Sequence, residues 1–150
     1  MHSCRRILAG TFALGLAGVA MSACGAEAAP QKPPATAAKP APSGPTTAQI
    51  EIPGVDRFSP FVVTVAPMGI ITIKNDDTDG HTITSLPGAA VPFDLHIDAN
   101  GATKTLQLPA GVYHYYCSAH AKYDDKTGQV SALPSSGFPD TPMEGVIVVG

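Results

Sequence analysis

Gly111-Val112-Tyr113-His114-Tyr115-Tyr116-Cys117-Ser118-Ala119-His120 is the stretch on which the fold turns. Its tyrosines favour an extended strand, and that strand runs into a cysteine, a short turn and a histidine. Side chains alternate faces along a strand. With Cys117 inward, Tyr115 and Tyr113 are inward as well, and His114 and Tyr116 point outward. The segment therefore delivers one thiol to the end of a packed core and then turns to an imidazole. A thiol beside an imidazole is either a metal site or a nucleophile pair.

Working outward, short extended runs recur between turn signals. Strands are expected near Gln49–Ile52, Phe61–Ala66, Gly69–Asn75, His81–Ser85, Phe93–Asp98, Thr103–Leu108, Val112–Cys117 and Glu144–Val149. Pro67-Met68-Gly69, Asp76–Gly80, Pro87-Gly88, Ala99-Asn100-Gly101 and Pro109-Ala110-Gly111 supply the turns. Eight short strands at this spacing, without helical periodicity, predict an all-β sandwich or barrel over residues 48–150. Ala121 to Pro142 is a polar, turn-rich interruption longer than ordinary loops. A helical turn over Lys122–Thr127 is one option for it.

The N-terminal part has a different composition. Arg5 and Arg6 precede a small-residue apolar run, Ile7 to Val19, in the pattern of an export signal over residues 1–24. Ala20-Met21-Ser22-Ala23-Cys24-Gly25 resembles a bacterial lipobox, which would make Cys24 the lipidated N-terminus of the mature chain. Ordinary cleavage near Ala26-Glu27-Ala28 is the alternative. Residues 25–47 form a linker rich in Ala and Pro, from which no core can be built.

Beyond Cys24, seven basic residues face twelve acidic ones, a net charge of −5. That balance argues against nucleic acid as a partner. Cys117 is the single cysteine after residue 24 and has no disulfide mate in the chain. An unpaired thiol in an exported protein is a liability unless something occupies it, and a bound metal would.

Three segments are placed to meet at one end of a sandwich: His81 after the turn Asn75-Asp76-Asp77-Thr78-Asp79-Gly80, the Cys117/His120 loop, and Met143 at the start of the last strand. One thiolate, two imidazoles and one thioether make the ligand set of a blue-copper electron-transfer site, with the thioether long and weak. Sulfur donors suit Cu(I), and imidazole suits both oxidation states. His114 and His96 are expected as solvated strand residues, and Asp76, Asp77 and Asp79 as a solvated turn. Cys-His nucleophilic catalysis would need a third, orienting group. No such arrangement and no oxyanion-hole motif is visible, so the chain is not expected to be an enzyme.

From Phe58 to Gly150 the chain resembles the plastocyanin/pseudoazurin branch of the cupredoxins. The resemblance is carried by Phe58-Ser59-Pro60, by Gly69-Ile70-Ile71-Thr72-Ile73-Lys74-Asn75, by His81 after a polar turn, by Leu108-Pro109-Ala110-Gly111 through His120, and by Met143-x-Gly145-x-Ile147-x-Val149. It implies a Greek-key β-sandwich that holds one copper ion and carries single electrons between larger redox partner proteins. It also implies His81, Cys117 and His120 as equatorial ligands and Met143 as the axial one; His120, whose loop is expected to lie toward solvent, is then the electron exit. The long stretch from His120 to Met143 is then an insertion between the last two strands of the sandwich. Thr82 stands where many relatives carry Asn, and its backbone N–H is placed to donate to the Cys117 sulfur. The competing reading is a module that stores, scavenges or delivers copper, with residues 121–142 as a gate. A monomer on the outer face of the cytoplasmic membrane or in the periplasm is expected in either case.

Overall fold

The computed structural model describes residues 43–150. The export signal, Cys24 and the linker as far as residue 42 lie outside the described residues. Ten strands follow one another: β1 Thr47–Ile52, β2 Val62–Val65, β3 Ile70–Asn75, β4 His81–Ser85, β5 Asp94–Ile97, β6 Ala102–Leu106, β7 Gly111–Tyr116, β8 Ala121–Asp124, β9 Gln129–Ala132 and β10 Glu144–Val149.

Eight of them make a sandwich of two mixed sheets, ordered β1-β3-β6 and β2-β10-β7-β4-β5. β1 runs parallel to β3, and β2 parallel to β10; the remaining pairs within the two sheets are antiparallel. The chain changes sheet after β1, β2, β3, β5 and β6, which is the Greek-key winding expected.

Period-two alternation builds the core. β3 turns Ile71, Ile73 and Asn75 inward, β7 turns Tyr113 and Tyr115 inward, and β10 turns Gly145, Ile147 and Val149 inward. His114 is exposed and Tyr116 half-buried, as alternation predicts. Ile50, Ile52, Ile71, Ile73, Ile83, Ile97 and Ile147 are fully enclosed. Each such side chain contributes about 1.5–3 kcal/mol of burial free energy. Cys117 and Met143 belong to the same core cluster.

Two boundaries differ from expectation. The domain begins before Ala48: Gly44 N–H donates to the Gly150 carbonyl, Ala66 N–H to Pro45 and Ile70 N–H to Thr46, and Thr47 already pairs with Ile70. These are main-chain bonds, which need no apolar side chain, so composition does not reveal them. The interruption 121–142 holds no helix: Lys122–Asp124 is strand, and one uncontinued turn follows, with Gly128 N–H on the Asp124 carbonyl at 2.8 Å. Its first half is the β8–β9 hairpin, closed at Asp124–Gly128 by Asp124 Oδ1 accepting from Lys126 N–H and by Gly128 at φ 71°.

The close approach of β7 to β10 depends on a glycine. A Cβ at Gly145 would stand 2.5 Å from Tyr115 Cζ and 3.0 Å from the Phe61 carbonyl. Tyr115 fills that space, 1% exposed and edge-on to Phe58 at 4.9 Å between ring centroids. Its hydroxyl has no hydrogen-bond partner among the described residues. Burial pushes its pKa above the ordinary phenol value. Tyr115→Phe removes an unsatisfied buried group and is expected to raise unfolding free energy by about 1 kcal/mol. Because the folded phenol resists ionisation, the native protein loses stability above the unfolded pKa of about 10. The variant is expected to lose less over that range. Chemical denaturation at pH 7 and pH 11 checks both; a variant weaker at pH 7 would mean the hydroxyl is satisfied.

Candidate metal centre

The site grows out of one end of the larger sheet. Cys117 follows β7 directly, fully buried, and its backbone N–H donates to the Met143 carbonyl at 2.9 Å. That bond continues the β7–β10 register by one step beyond Tyr116↔Glu144. Met143 is 1% exposed in the same core cluster. From Cys117 the chain makes a tight turn, with His120 N–H at 3.2 Å and Ala121 N–H at 2.8 Å both donating to the Cys117 carbonyl. Two intervening residues are what such a turn requires to bring an imidazole back beside the sulfur.

His81 arrives from the opposite side, at the start of β4. The turn before it is organised by Asn75, whose side chain is fully buried. Asn75 Nδ2 donates to the Asp79 carbonyl at 2.7 Å and the Asp98 carbonyl at 3.0 Å, while its Oδ1 accepts from Asp77 N–H at 3.0 Å. One amide thus shapes the loop that carries His81 and turns Asp77 inward.

The three donors converge. His81 Nδ1 lies 3.7 Å and His120 Nδ1 3.6 Å from Cys117 Sγ, and the two rings are 4.7 Å apart between centroids. All three residues are buried, and their ligand atoms lie within 4.8 Å of one another. Metal–sulfur and metal–nitrogen bonds of about 2.3 and 2.0–2.1 Å, spread at 120°, place N and S roughly 3.7 Å apart. The observed separations fit a trigonal ion at their centre. Thr82 N–H donates to Cys117 Sγ at 3.3 Å, as expected. Its hydroxyl accepts from Ser118 N–H at 2.8 Å and so ties β4 to the cysteine loop.

The outer edges of the rings meet carboxylates. His81 Nε2 lies 3.3 Å from Asp77 Oδ2 and 3.9 Å from Asp56 Oδ1, and His120 Nε2 lies 3.6 Å from Asp56 Oδ1. Burial pushes the His81 imidazole below its ordinary pKa, opposed by the hydrogen bond to Asp77.

Two expectations change here. Asp77 is not part of a solvated turn: it is 8% exposed, although its neighbours Asp76 and Asp79 are exposed. His120 does not offer a solvent edge, since it too is only 8% exposed. Asp56, in the loop between β1 and β2, carried no signal in the sequence; it is a lone acid in an irregular segment. His96 is exposed on β5 beside Asp98, at 3.4 Å, and His114 is exposed on β7; neither joins the cluster.

No protein-family model and no curated protein matches the chain. Among solved structures, a purple cupredoxin from Nitrosopumilus maritimus is similar at 22% identity, covering 69% of this chain and 99% of that one, with a TM-score of 0.47. Amicyanin from Paracoccus versutus is similar at 16% identity, covering 69% and 81%, with a TM-score of 0.48. Auracyanin from Roseiflexus castenholzii is similar at 16% identity, covering 71% and 98%, with a TM-score of 0.44. The strand order and register above, rather than these likenesses, establish the fold.

Asn75→Ala removes the side-chain hydrogen bonds to the backbone of Asp77, Asp79 and Asp98. It is expected to cost about 2–4 kcal/mol of stability and to loosen the His81 turn. Denaturant unfolding, together with amide exchange at Asp77, measures it; a loss under about 0.5 kcal/mol would mean that the turn holds itself. The chain thus has a Greek-key β-sandwich of the cupredoxin-like kind, and at one end of it His81, Cys117 and His120 converge with Met143 in the same core cluster.

Proposed function

We propose that this domain binds one copper ion through His81 Nδ1, Cys117 Sγ and His120 Nδ1, with Met143 as a weak axial donor, and carries single electrons between redox partner proteins. The observation that carries the reading is the convergence of one sulfur and two ring nitrogens at 3.6–3.7 Å, all buried. Copper would supply the one-electron redox couple; the polypeptide supplies the geometry. Cys117 is held by its backbone bond to Met143 and by the Thr82 N–H on its sulfur, so the donor cannot swing as the charge at the site changes. The two imidazoles are fixed by strand β4 and by the Cys117–His120 turn. Small motion between oxidation states is what a carrier needs. Storage or delivery would favour an open site with a mobile ligand, and burial of all three donors argues for slow copper exchange instead.

The place of action follows from the sequence outside the described residues. The signal-like 1–24 segment and the lipobox-like Ala20–Gly25 support an exported, lipid-tethered protein, with the linker as spacer. Among the described residues no helix is long and apolar enough to cross a membrane.

Cu(II) added to the purified domain is expected to give an intense visible absorption and a type 1 EPR signal, with reversible voltammetry. Cys117→Ser is expected to abolish the colour, whereas Met143→Leu keeps it and shifts the potential. A colourless, tetragonal copper signal from the native domain would overturn the carrier reading; an unchanged potential in Met143→Leu would overturn the axial assignment. For the tether, Cys24→Ala is expected to move the protein from the membrane to the soluble fraction of fractionated cells, and retention in the membrane would refute lipidation.

A further inference from the structure

Asp56 stands where two otherwise separate parts of the molecule meet. It comes from the irregular segment between β1 and β2, and its side chain is 10% exposed. Its Oδ1 faces the outer edge of both histidine rings, 3.6 Å from His120 Nε2 and 3.9 Å from His81 Nε2. Both separations exceed hydrogen-bond range, so the contact is electrostatic at these positions. Its Oδ2 accepts a short hydrogen bond from Gly137 N–H, in the second half of the long insertion. The insertion thereby crosses the end of the sandwich at which the two histidines lie.

A carboxylate behind a ring favours the tautomer with the proton on the near nitrogen. That leaves the far nitrogen, here Nδ1, as the lone pair aimed at Cys117 Sγ. In both rings the nitrogen toward the sulfur is Nδ1 and the nitrogen toward a carboxylate is Nε2. His81 has Asp77 as well, at 3.3 Å, but the carboxylate at His120 is that of Asp56. One Asp56 oxygen accepts from Gly137 N–H and the other faces the two ring nitrogens. Asparagine offers a single carbonyl oxygen and two N–H donors, so it cannot satisfy a ring N–H and a backbone N–H together.

We propose that Asp56 is a positioning residue of the metal centre: one oxygen orients His120, and secondarily His81, while the other anchors the insertion over them. This rests on the copper reading for its purpose but not for its test, because the first two measurements use the metal-free domain. By nitrogen-15 NMR of the neutral imidazoles, native His120 is expected to be protonated on Nε2. In Asp56→Ala that preference is expected to be lost, and Gly137 amide exchange to rise roughly tenfold or more, from loss of a charge-assisted bond. Asp56→Asn is expected to keep one of the two effects and lose the other. In copper-loaded Asp56→Asn, loss of the nearby negative charge is expected to raise the reduction potential while the blue colour persists. Native tautomer and native Gly137 exchange together in either variant would overturn the proposal. Should Asp56→Ala fail to fold, Asp56→Asn decides alone. If the native domain shows no blue copper signal, the function falls, while the tautomer and exchange results still decide the role of Asp56.

Discussion

The hydrogen bond from Cys117 N–H to the Met143 carbonyl is the join on which the rest of the site depends. It extends the β7–β10 ladder one step past the last paired strand residues and fixes where the sulfur stands. Without it, the chain leaving β7 would be free at the point where the donor must be most exact. With it, the carbonyl of Cys117 is also fixed, and that carbonyl receives the N–H groups of both His120 and Ala121. A single sheet register therefore sets the thiol, the turn and the second imidazole in sequence. His81 has to be brought to the same point independently. Asn75 and the pairing of β4 with β5 and β7 do so. The two halves are then stitched by Thr82, through its N–H to the sulfur and its hydroxyl to Ser118.

Burying two imidazoles and a thiol together has an electrostatic consequence. Polar groups removed from water must find partners inside the protein, and charge brought into such a site is costly unless balanced. A thiolate and a copper ion would balance one another at the inner edges of the rings. At the outer edges Asp77 supplies His81 with the acceptor that water would supply in an open site, and Asp56 sets a negative charge opposite both rings. Asp77 and Asp56 thus belong to the interior electrostatics of the centre, while Asp76 and Asp79 stay exposed.

The sequence made the inner edge of this site readable and concealed the outer one. Cys117, His120 and His81 follow from local rules: the period of a strand, a two-residue turn, and a histidine opening a strand. The sheet positions of Tyr113 and Tyr115 follow from the same period. Asp77 was misplaced because its neighbours are solvated, and only the side chain of Asn75, bonded to its backbone, rolls it inward. Asp56 was invisible because its partners lie far along the chain, in an irregular loop with no periodicity to read. His120 was expected to reach solvent because the cysteine loop of a sandwich ordinarily ends at its surface. In the fold the Asp56 carboxylate stands against the outer edge of the His120 ring and holds Gly137 on its other oxygen, and no pattern within either segment announces that contact.

The insertion shows how so long an interruption can separate two residues of one site without displacing either. Closing a flexible loop of its length carries an entropic cost that would fall on the cysteine loop and on the start of β10. The β8–β9 hairpin removes most of that freedom by pairing with itself. Leu133 N–H then donates to the His120 carbonyl at 2.8 Å, so the chain leaves the hairpin at the residue before it entered. What remains, from Leu133 to Met143, is short and anchored partway by Gly137 on Asp56. The first half of the insertion thus closes back on the His120 carbonyl, and the second half is tied to Asp56. The anchor that holds this second half is the same carboxylate that faces the histidines, so the insertion and the two rings share one fixed point.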